Sequence, residues 1–447
     1  MADVSYVPGG RTAIVGDSRW VLIDASAVAN TRRRVTWATV NAGCSRPGIA
    51  KLDLMGDQTI LNRGRRASRH VLKGFCATVG CAAVLAASAC SSASSTALAG
   101  SSAGWTNPAR AGASSAGAAH PSASSTAAKA GASVTITAVG DTMLGNTPNL
   151  APDPVGYFDA VRSSLTSGAQ VVFANLEGTL TTAPGTKCGA GAGTTCFAFR
   201  NPPSYAQYFK QAGFTILNDA NNHSFDFGAA GQQQTVQSIH AAGLAQTGLP
   251  GQIATVTANG VKVAILGFAP YNWAASLLDV AAARALIAQA HQQAPIVVVY
   301  MHAGAEGPSA DHVTGHEEIY LGEDRGNAEA FAHMAIDAGA SLVIASGPHV
   351  LRGMQFYKGH LIAYSLGNFA GYGNFAGGGN RDMSAILRVT LSSAGQFERA
   401  RMYPVLLTGQ GKPVPGGGAT AFVAQLSAQD FGSGAAQISS SGVITRQ

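Results

Sequence analysis

Short runs of apolar residues recur along the chain from residue 134 onwards, and more polar segments separate them. Each run has the length and composition of a strand that is buried in a sheet. The first six runs occupy residues 134–139, 171–174, 214–217, 261–268, 295–301 and 341–345. The pattern therefore predicts a sheet of buried strands in the C-terminal part of the chain.

Segments with a helix-like pattern lie between these runs, at residues 157–167, 204–212, 230–242, 280–292 and 328–338. Gly213, Gly243 and Gly339 directly follow three of them, which is typical of helix ends. Strands that alternate with helices favour an α/β fold.

Four later apolar runs follow one another without helical segments between them, at residues 354–357, 360–364, 384–391 and 397–405. This arrangement indicates antiparallel strands. No internal repeat is visible, so residues 134–447 are predicted to form one domain.

The N-terminal part has the three-part pattern of a secretory signal. Residues 63–73 are basic, residues 74–89 are apolar and uncharged, and Ala87-Ser88-Ala89 precedes Cys90. The apolar run is shorter than the roughly 20 residues of a membrane-spanning helix. A cysteine directly after small residues resembles the lipobox of bacterial lipoproteins, which implies that Cys90 receives a lipid anchor.

A signal should begin near the start of a protein, and Met55 is the only methionine between Met1 and Met143. We therefore expect residues 1–54 to be a non-structural upstream extension that has no role in the mature protein. Residues 55–90 would be the lipoprotein-type signal peptide. Residues 91–133 are mostly Ala, Ser, Gly and Thr, which predicts a disordered tether between the membrane anchor and the domain.

The net charge of +6 is unevenly distributed. Residues 1–89 contain 12 Lys or Arg and 5 Asp or Glu, a net charge of +7, whereas residues 90–447 contain 17 and 18, a net charge of −1. The basic character therefore belongs to the N-terminal stretch, and we expect no nucleic-acid partner.

Two of the six cysteines, Cys188 and Cys196, lie in the predicted domain, eight residues apart in a glycine-rich segment. They are predicted to form a small disulfide loop, which requires an oxidising compartment. The alternative is a pair of reduced loop cysteines.

Polar residues suited to metal binding follow the ends of the apolar runs. Singly, each is also typical of a turn, a helix cap or a structural histidine. Together, two histidines, two carboxylates and an asparagine among them would suit one or two divalent metal ions such as Mn, Zn or Fe, which activate water and offset charge on a phosphoryl or carbonyl oxygen. The residues are Asp141, Asn175, Glu177, Asn222, His223, His302, Glu306 and His349.

The same motifs, with one later segment, resemble those of the CapA family of capsule or poly-γ-glutamate synthesis proteins. They are VGDTMLG (139–145), NLEG (175–178), NNHSFDFG (221–228), HAGAE (302–306), GPHV (347–350) and YSLGNF (364–369). The resemblance covers nearly all of residues 134–447. It implies a calcineurin-like metallophosphatase fold, a four-layer α/β/β/α sandwich of two mixed sheets. It also implies an extracytoplasmic, membrane-anchored location.

The resemblance also implies roles for individual residues. His223 falls where the superfamily keeps a catalytic histidine that contacts or protonates the leaving group, and Glu306 and Asn175 are second catalytic candidates. Met143 and Gly347 stand where metallophosphatases commonly carry metal-binding histidines, so a single metal ion is as well supported as two. The metal positions are Asp141, Glu177, Asn222, His302 and His349.

Two functions of different classes follow. The first is a metal-dependent hydrolase that cleaves a phosphoester or a polymer amide in the cell envelope, with His223 as the acid. The alternative is a non-catalytic polymer-binding accessory or export factor. A third interpretation is a solute-binding lipoprotein, which would have the same anchor and tether. The expected partners are an anionic polymer or another envelope substrate, the membrane and polymer-synthase membrane proteins. Arg325, Arg352 and Arg381 are candidate polymer contacts by position.

Overall fold

The computed structural model describes residues 132–189, 196–375 and 377–447, together with the backbone of four strands within the first 38 residues. The predicted signal peptide, Cys90 and most of the predicted tether lie outside the described residues. Among the residues that are described, no helix is both long enough and apolar enough to cross a membrane.

The chain divides into two units, residues 1–114 and 115–447, and four strands in the first unit form an antiparallel meander. Their bounds are Asp3–Val7 (β1), Arg11–Gly16 (β2), Arg19–Asp24 (β3) and Thr36–Ala38 (β4). The apolar pattern of the sequence did not lead us to predict these strands. That residues 1–54 have no role in the mature protein stays a prediction.

Among the described residues, the other strands and six helices lie in the second unit. In chain order, the strands are Ser133–Met143 (β5), Gly145–Asn146 (β6), Asn149–Leu150 (β7), Val171–Leu176 (β8), Thr179–Leu180 (β9), Arg200–Asn201 (β10), Ile216–Asn218 (β11), Ala245–Thr247 (β12), Ala254–Ala258 (β13), Val261–Ala269 (β14), Ala275–Ser276 (β15), Ile296–His302 (β16), Ile319–Tyr320 (β17), Glu323–Asp324 (β18), Leu342–Ser346 (β19), Met354–Tyr357 (β20), His360–Ala363 (β21), Asn368–Gly371 (β22), Met383–Ser392 (β23), Phe397–Thr408 (β24), Lys412–Pro415 (β25), Gln437–Ile438 (β26) and Val443–Thr445 (β27). The helices are Arg162–Thr166 (α1), Ala206–Ala212 (α2), Gly228–Ala241 (α3), Val280–Gln293 (α4), Ala328–Asp337 (α5) and Ala419–Phe431 (α6).

Two mixed sheets make up most of this unit. The first runs β12-β11-β8-β5-β23-β24-β27-β26, with β22 beside β5 and β25 beside β24. Its strands β12, β11, β8 and β5 are parallel, and β23 is antiparallel to β5. The second runs β13-β14-β16-β19-β21-β20, with β15 beside β14. Its strands β14, β16, β19 and β21 are parallel, and both edge strands are antiparallel.

The two sheets pack face to face, and helices cover their outer faces. Ile136 and Phe173 of the first sheet belong to one apolar cluster with Ile265 and Val298 of the second. On the outer face of the second sheet, α4 and α5 pack on Val297 and its neighbours. On the outer face of the first sheet, α1, α2 and α3 pack in the same way. The predicted four-layer α/β/β/α fold of two mixed sheets is therefore confirmed.

Most predicted elements of this unit are present, with local differences. The six early apolar runs are β5, β8, β11, β14, β16 and β19, and the later runs form two antiparallel hairpins, β20–β21 and β23–β24. The first predicted helix, residues 157–167, is reduced to α1. The serines and threonine of α1 favour helices weakly, which accounts for its shortness. The pattern of the sequence did not reveal α6.

The strand ends meet at one edge of the sandwich because the parallel strands of each sheet run in the same direction. A β-bulge at Gly140 shifts the register between β5 and β8 just before Asp141. At this point β5 closely approaches the backbone of Gly367, and a Cβ on Gly140 would lie 1.9 Å from the carbonyl oxygen of Gly367. Only glycine fits there, and the amide of Asp141 donates to the same oxygen at 2.9 Å.

Candidate metal centre

Four side chains from strand ends of both sheets lie together inside the sandwich. Asp141 lies near the end of β5, Glu177 follows β8, His302 ends β16 and His349 follows β19. Asp141, Glu177 and His349 offer ligand atoms that all lie within 4.8 Å of one another. Nε2 of His302 lies 3.7 Å from Oε1 of Glu177. We call these four residues the carboxylate–histidine cluster.

His349 contacts both carboxylates of the cluster. Its Nδ1 lies 3.2 Å from Oδ2 of Asp141, and its Nε2 lies 3.5 Å from Oε1 of Glu177. The side chains of Asp141, Glu177 and His302 are buried, whereas that of His349 is 17% exposed. Among these four side chains, the solvent-exposed surface of the cluster is therefore that of His349.

The cluster contains two buried atoms without a hydrogen-bond partner, Oε1 of Glu177 and Nε2 of His302. Buried polar atoms are normally satisfied, so a carboxylate oxygen and an imidazole nitrogen left bare beside each other call for an explanation. Both are ligand atoms for divalent transition metals. The residues present therefore fit a divalent metal ion at this position.

Asn175 connects the two carboxylates of the cluster. Its Nδ2 donates to Oδ1 of Asp141 at 2.8 Å and to Oε2 of Glu177 at 3.3 Å. Its Oδ1 accepts from Asn218 at 2.8 Å and from Asn221 at 3.0 Å. An amide has two donor hydrogens and two acceptor lone pairs. All are used inside the protein, so Asn175 holds the two carboxylates in position; its predicted catalytic role stays a prediction.

Neighbouring polar groups orient the two histidines of the cluster. The hydroxyl of Tyr300 lies 3.1 Å from Nδ1 of His302, which leaves Nε2 on the side of Glu177. Oδ1 of Asn368 lies 2.9 Å from Nδ1 of His349. His349 has a φ of 59°, a left-handed conformation that is rare outside glycine and asparagine. Such backbone strain is often found at functional sites.

The two carboxyl groups differ in their proton affinity. Burial would raise the pKa of Asp141, but the hydrogen bond to His349 and the charges of His349 and His302 hold it well below its usual range. Burial and the charge of Asp141 raise the pKa of Glu177 well above its usual range. A bound cation would favour the ionised form of both groups.

The two histidines of the cluster also differ in the direction in which the protein shifts their pKa. Burial lowers the pKa of His302 to about 3, in spite of the charge of Asp141. Its ring is therefore neutral near pH 7, and neutral imidazole is the form that binds metal ions. Burial opposes the charged form of His349 as well, but the hydrogen bond and charge of Asp141 outweigh it and raise the pKa.

His223 lies outside the cluster and pairs with Asp226, three residues further on. Its Nδ1 is 2.9 Å from Oδ2 of Asp226, and Oδ1 of that carboxylate is 2.7 Å from Nζ of Lys187. A carboxylate paired with a lysine only accepts hydrogen bonds, so Nδ1 of His223 carries the proton. Burial lowers the pKa of His223 in spite of Asp226, so the ring is neutral near pH 7. Its Nε2 then carries no proton.

Glu306 lies at the solvent side of the cluster. Its Oε2 is 3.7 Å from Nε2 of His349, and its Oε1 is 2.9 Å from the guanidinium of Arg325.

Asn222 makes none of the contacts that join the cluster. Its Oδ1 is buried without a hydrogen-bond partner, and its carbonyl oxygen accepts from Lys187.

The structure explains the two positions that depart from the metallophosphatase pattern. Met143 is buried in an apolar cluster with Phe375 and Leu407. Gly347 has a φ of 123°, and a Cβ there would lie 3.1 and 3.2 Å from the backbone of Ala303. Neither position offers a ligand, and the second has little room for one. The described ligands therefore form a single cluster.

Sequence reasoning missed several supporting residues. Asp226 could have been found from its spacing to His223 within the NNHSFDFG motif. Asn218 is the last residue of β11, Asn221 lies in the polar stretch that follows it, and Asn368 lies in the YSLGNF motif. Ser346 and Lys187 carried no signal, because their roles depend on contacts between distant segments. Tyr300 is two residues before His302 on β16, so its spacing could have indicated that both side chains lie on one face of the strand.

The structure corrects the proposed arginine contacts. Arg352 is fully buried and pairs with both carboxylate oxygens of Glu318, at 2.8 and 2.7 Å. Arg325 is 4% exposed and pairs with Glu306 and Glu323. Arg352 is therefore excluded as a polymer contact, and Arg325 is almost wholly engaged inside the protein. Arg381 is half-buried and donates to the carbonyl of Gly377.

The disulfide predicted from the cysteine spacing is present in the structure. Cys188 is joined to Cys196, with their Cα atoms 5.6 Å apart.

A family model described as "Bacterial capsule synthesis protein PGA_cap" matches residues 135–372. This range includes the whole carboxylate–histidine cluster, His223 and Glu306.

Two curated relatives are similar to parts of the chain. "Capsule biosynthesis protein CapA" of Bacillus anthracis is 35% identical over 172 residues, which cover 36% of this chain and 41% of the relative. "PGA biosynthesis protein CapA" of Bacillus subtilis (strain 168) is 30% identical over 207 residues, which cover 38% of this chain and 51% of the relative. The chain thus spans about half, or less, of the length of these relatives.

Two solved structures are similar to part of the chain. A putative 5'-nucleotidase from Staphylococcus aureus, in complex with α-ketoglutarate, matches 64% of this chain and 54% of its own, with 11% identity and a TM-score of 0.35. The purple acid phosphatase PPD1 from yellow lupin matches 62% and 52%, with 10% identity and a TM-score of 0.32. Both TM-scores are low, and the fold is identified from the two packed sheets and the helices that cover them.

Proposed function

The chain belongs to the PGA_cap family of bacterial capsule synthesis proteins, and from that membership we propose that it is an extracytoplasmic, metal-dependent hydrolase of an envelope substrate. Its process would be the synthesis or export of capsule or poly-γ-glutamate. The observation that supports hydrolysis best is the pair of bare buried ligand atoms, Oε1 of Glu177 and Nε2 of His302, 3.7 Å apart.

Asp141, Glu177, His302 and His349 would hold the metal ion, and Asn222 would be a further ligand by resemblance. When bound, a divalent ion of this kind activates water and offsets negative charge on a phosphoryl or carbonyl oxygen. The protein contributes the arrangement of the ligands. Asn175 fixes the distance between the two carboxylates, and Tyr300 and Asn368 orient the imidazoles.

His223 would handle the proton of the leaving group. Asp226 accepts from Nδ1 of the ring, so any proton that His223 exchanges with a substrate moves at Nε2. Because the ring is neutral near pH 7, Nε2 takes up a proton before it can give one to a leaving oxygen or nitrogen. Glu306, beside His349 on the solvent side, would bind or orient the substrate.

Turnover measurements on the mature chain test the proposal. Phosphomonoesters, phosphodiesters and γ-glutamyl polymers are offered with Mn²⁺, Zn²⁺ or Fe²⁺, and with EDTA. We expect one substrate class to be cleaved, EDTA to abolish the cleavage, and Asp141→Asn and His302→Gln to lower kcat by about 100-fold or more.

His360→Gln is the matched control, because this half-buried histidine hydrogen-bonds to the carbonyl of Ser341 and lies outside the cluster. It should leave turnover unchanged. Metal-independent turnover, or full activity in the folded Asp141→Asn variant, would refute the hydrolase proposal.

One observation favours the alternative, a non-catalytic accessory that binds polymer. The two positions at which metallophosphatases carry further histidines are apolar Met143 and cramped Gly347. An accessory would show no turnover on any substrate class, yet it would bind γ-glutamyl polymer, and a deletion strain would lose its polymer.

The proposed location rests on the signal-like sequence before Cys90, and intact mass spectrometry of the native protein tests it. We expect a mature chain that begins at Cys90 and carries a diacylglycerol mass. A mature chain that retains residues 1–54, or one without lipid, would contradict it.

A further inference from the structure

The Cys188–Cys196 disulfide joins two short described segments, residues 187–189 and 196–199, which contact Asp226 and His223. We call residues 187–199 the disulfide loop; the structure describes its two arms, residues 187–189 and 196–199. The disulfide holds the two arms next to each other, with the Cα atoms of the cysteines 5.6 Å apart.

The first arm contacts Asp226 twice. Nζ of Lys187 lies 2.7 Å from Oδ1 of the Asp226 carboxylate. The backbone amide of Lys187 donates to the carbonyl oxygen of Asp226 at 2.7 Å. Nζ also donates to the carbonyl of Asn222 at 3.1 Å. Lys187 therefore contacts one residue before His223 in the sequence, Asn222, and one after it, Asp226.

The second arm reaches the same carboxylate from the other end of the loop. The backbone amide of Phe199 donates to Oδ2 of Asp226 at 2.6 Å. The ring of Phe199 also packs on the imidazole of His223, with the ring centroids 4.4 Å apart. Oδ2 of Asp226 is the oxygen that pairs with Nδ1 of His223.

From these contacts we infer that the disulfide loop positions His223. Its two arms fix both oxygens of the Asp226 carboxylate, that carboxylate keeps the proton on Nδ1, and Phe199 sets the plane of the ring. Lys187, Phe199 and Asp226 are positioning residues, and the disulfide keeps the two arms together. Opening the disulfide would free the arms and let the ring change tautomer and orientation.

The importance of this arrangement for catalysis rests on the proposed function, but the positioning of the ring does not. The test therefore reads the ring directly. Long-range ¹H–¹⁵N spectra of the mature chain labelled with ¹⁵N-histidine, recorded in EDTA at one pH near neutrality, report which nitrogen carries the proton. The signals of His223 are identified by their loss in His223→Gln.

We expect wild-type His223 to give one protonated nitrogen, Nδ1, and one bare nitrogen, Nε2. In Cys188→Ser/Cys196→Ser, and in wild type reduced with a phosphine, the two shifts should move towards each other as the tautomers mix. Lys187→Met should cause a smaller change in the same direction, because one arm remains. Unchanged His223 signals in a folded variant with the disulfide open would overturn the inference.

Lys210→Met is the matched control, since Nζ of Lys210 also donates to a backbone carbonyl, that of Gly243, far from His223 in sequence. It should leave the His223 signals unchanged.

If a substrate is found, the double serine variant should lower kcat by about 10-fold or more with its metal content unchanged. An unchanged kcat would contradict a catalytic role for the loop. Absence of turnover in wild type would refute the proposed hydrolase and leave the spectroscopic result as the test of positioning.

Discussion

The side chain of Asn175 contacts both carboxylates of the cluster and is contacted by two further asparagines. Removing it would leave Asp141 and Glu177 without the donor that they share. Residues that orient metal ligands commonly contribute 10- to 100-fold to metal affinity. The cluster therefore depends on an amide that is itself no ligand.

We predict that Asn175→Ala lowers divalent metal affinity by about 10- to 100-fold, because both carboxylates lose their orienting hydrogen bond. Competition with a metallochromic chelator measures this affinity. Asn327→Ala is the control: it removes the N-cap of α5, where Oδ1 accepts from the amide of Ala330, and should cost about 1 kcal/mol of stability. Equal metal affinity in Asn175→Ala and wild type would show that this contact has no role.

Gly347 lies between the cluster and the backbone of β16. Its φ of 123° suits glycine alone, and a Cβ would press on the backbone of Ala303, next to His302. A histidine at this position would therefore have to move the residue that follows a metal ligand.

We predict that Gly347→Ala lowers the free energy of unfolding by about 3 kcal/mol, from backbone strain and the close contacts to Ala303. Gly251→Ala should cost only about 1 kcal/mol, because Gly251 also has a positive φ of 69° but has no atom within 4 Å of the place that a Cβ would take. Denaturant unfolding compares the two variants. Equal losses would mean that the contacts to Ala303 are unimportant.

The residues of the cluster could be found from the sequence because each follows an apolar run, where strands end and side chains converge. The supporting contacts could not be found in this way. Lys187 reaches Asp226 across 39 positions of the chain, and Ser346 reaches Asp141 across 205. Such pairs are set by the packing of distant segments, and no local pattern encodes them.

The sequence pattern predicted the six early strands of the second unit but did not predict helix α6. The six early strands are short, apolar and bounded by polar residues, which gives a strong local signal. Helix α6 follows three glycines, Gly416 to Gly418, a sequence typical of a loop. Its stability comes from tertiary packing, since Ala419 and Val423 enter the core between the sheets.

Asp430, near the C-terminal end of α6, contacts the loop that follows β16. Oδ1 of Asp430 lies 2.6 Å from Nδ1 of His312, and Oδ2 accepts from the amide of Val313 at 3.0 Å. The hydrogen bond to Asp430 raises the pKa of His312. A raised pKa means that the pairing stabilises the fold fully below the unfolded value of about 6.5, and that the stabilisation is lost as the pH rises through the folded value.

We therefore predict that His312→Gln destabilises the protein at pH 6 and that the difference from wild type shrinks towards pH 9. The side chain of His312 is 51% exposed, so the effect should be below about 1 kcal/mol. Denaturant midpoints at several pH values measure it. His240→Gln, which replaces an exposed histidine near the end of α3, is the control. A difference that grows with pH would contradict the sign of the pKa shift.

At the scale of the whole C-terminal unit, the packing of the two sheets creates the site. Asp141 and Glu177 come from the first sheet, and His302 and His349 come from the second. Each sheet thus contributes two of the four residues of the cluster. The family match covers the strands that supply all four residues, so the cluster lies wholly within the matched range, whereas α6 and the strands after residue 372 lie beyond it.

The central claim is that this cluster binds a divalent metal ion. Elemental analysis of the protein, purified without chelator and dialysed against Mn²⁺, Zn²⁺ or Fe²⁺ and then against buffer, tests it most directly. We predict about one equivalent of metal per chain, lost in folded Asp141→Asn and Glu177→Gln variants and retained in His360→Gln. A wild-type chain with no metal above the buffer blank after all three dialyses would contradict the account.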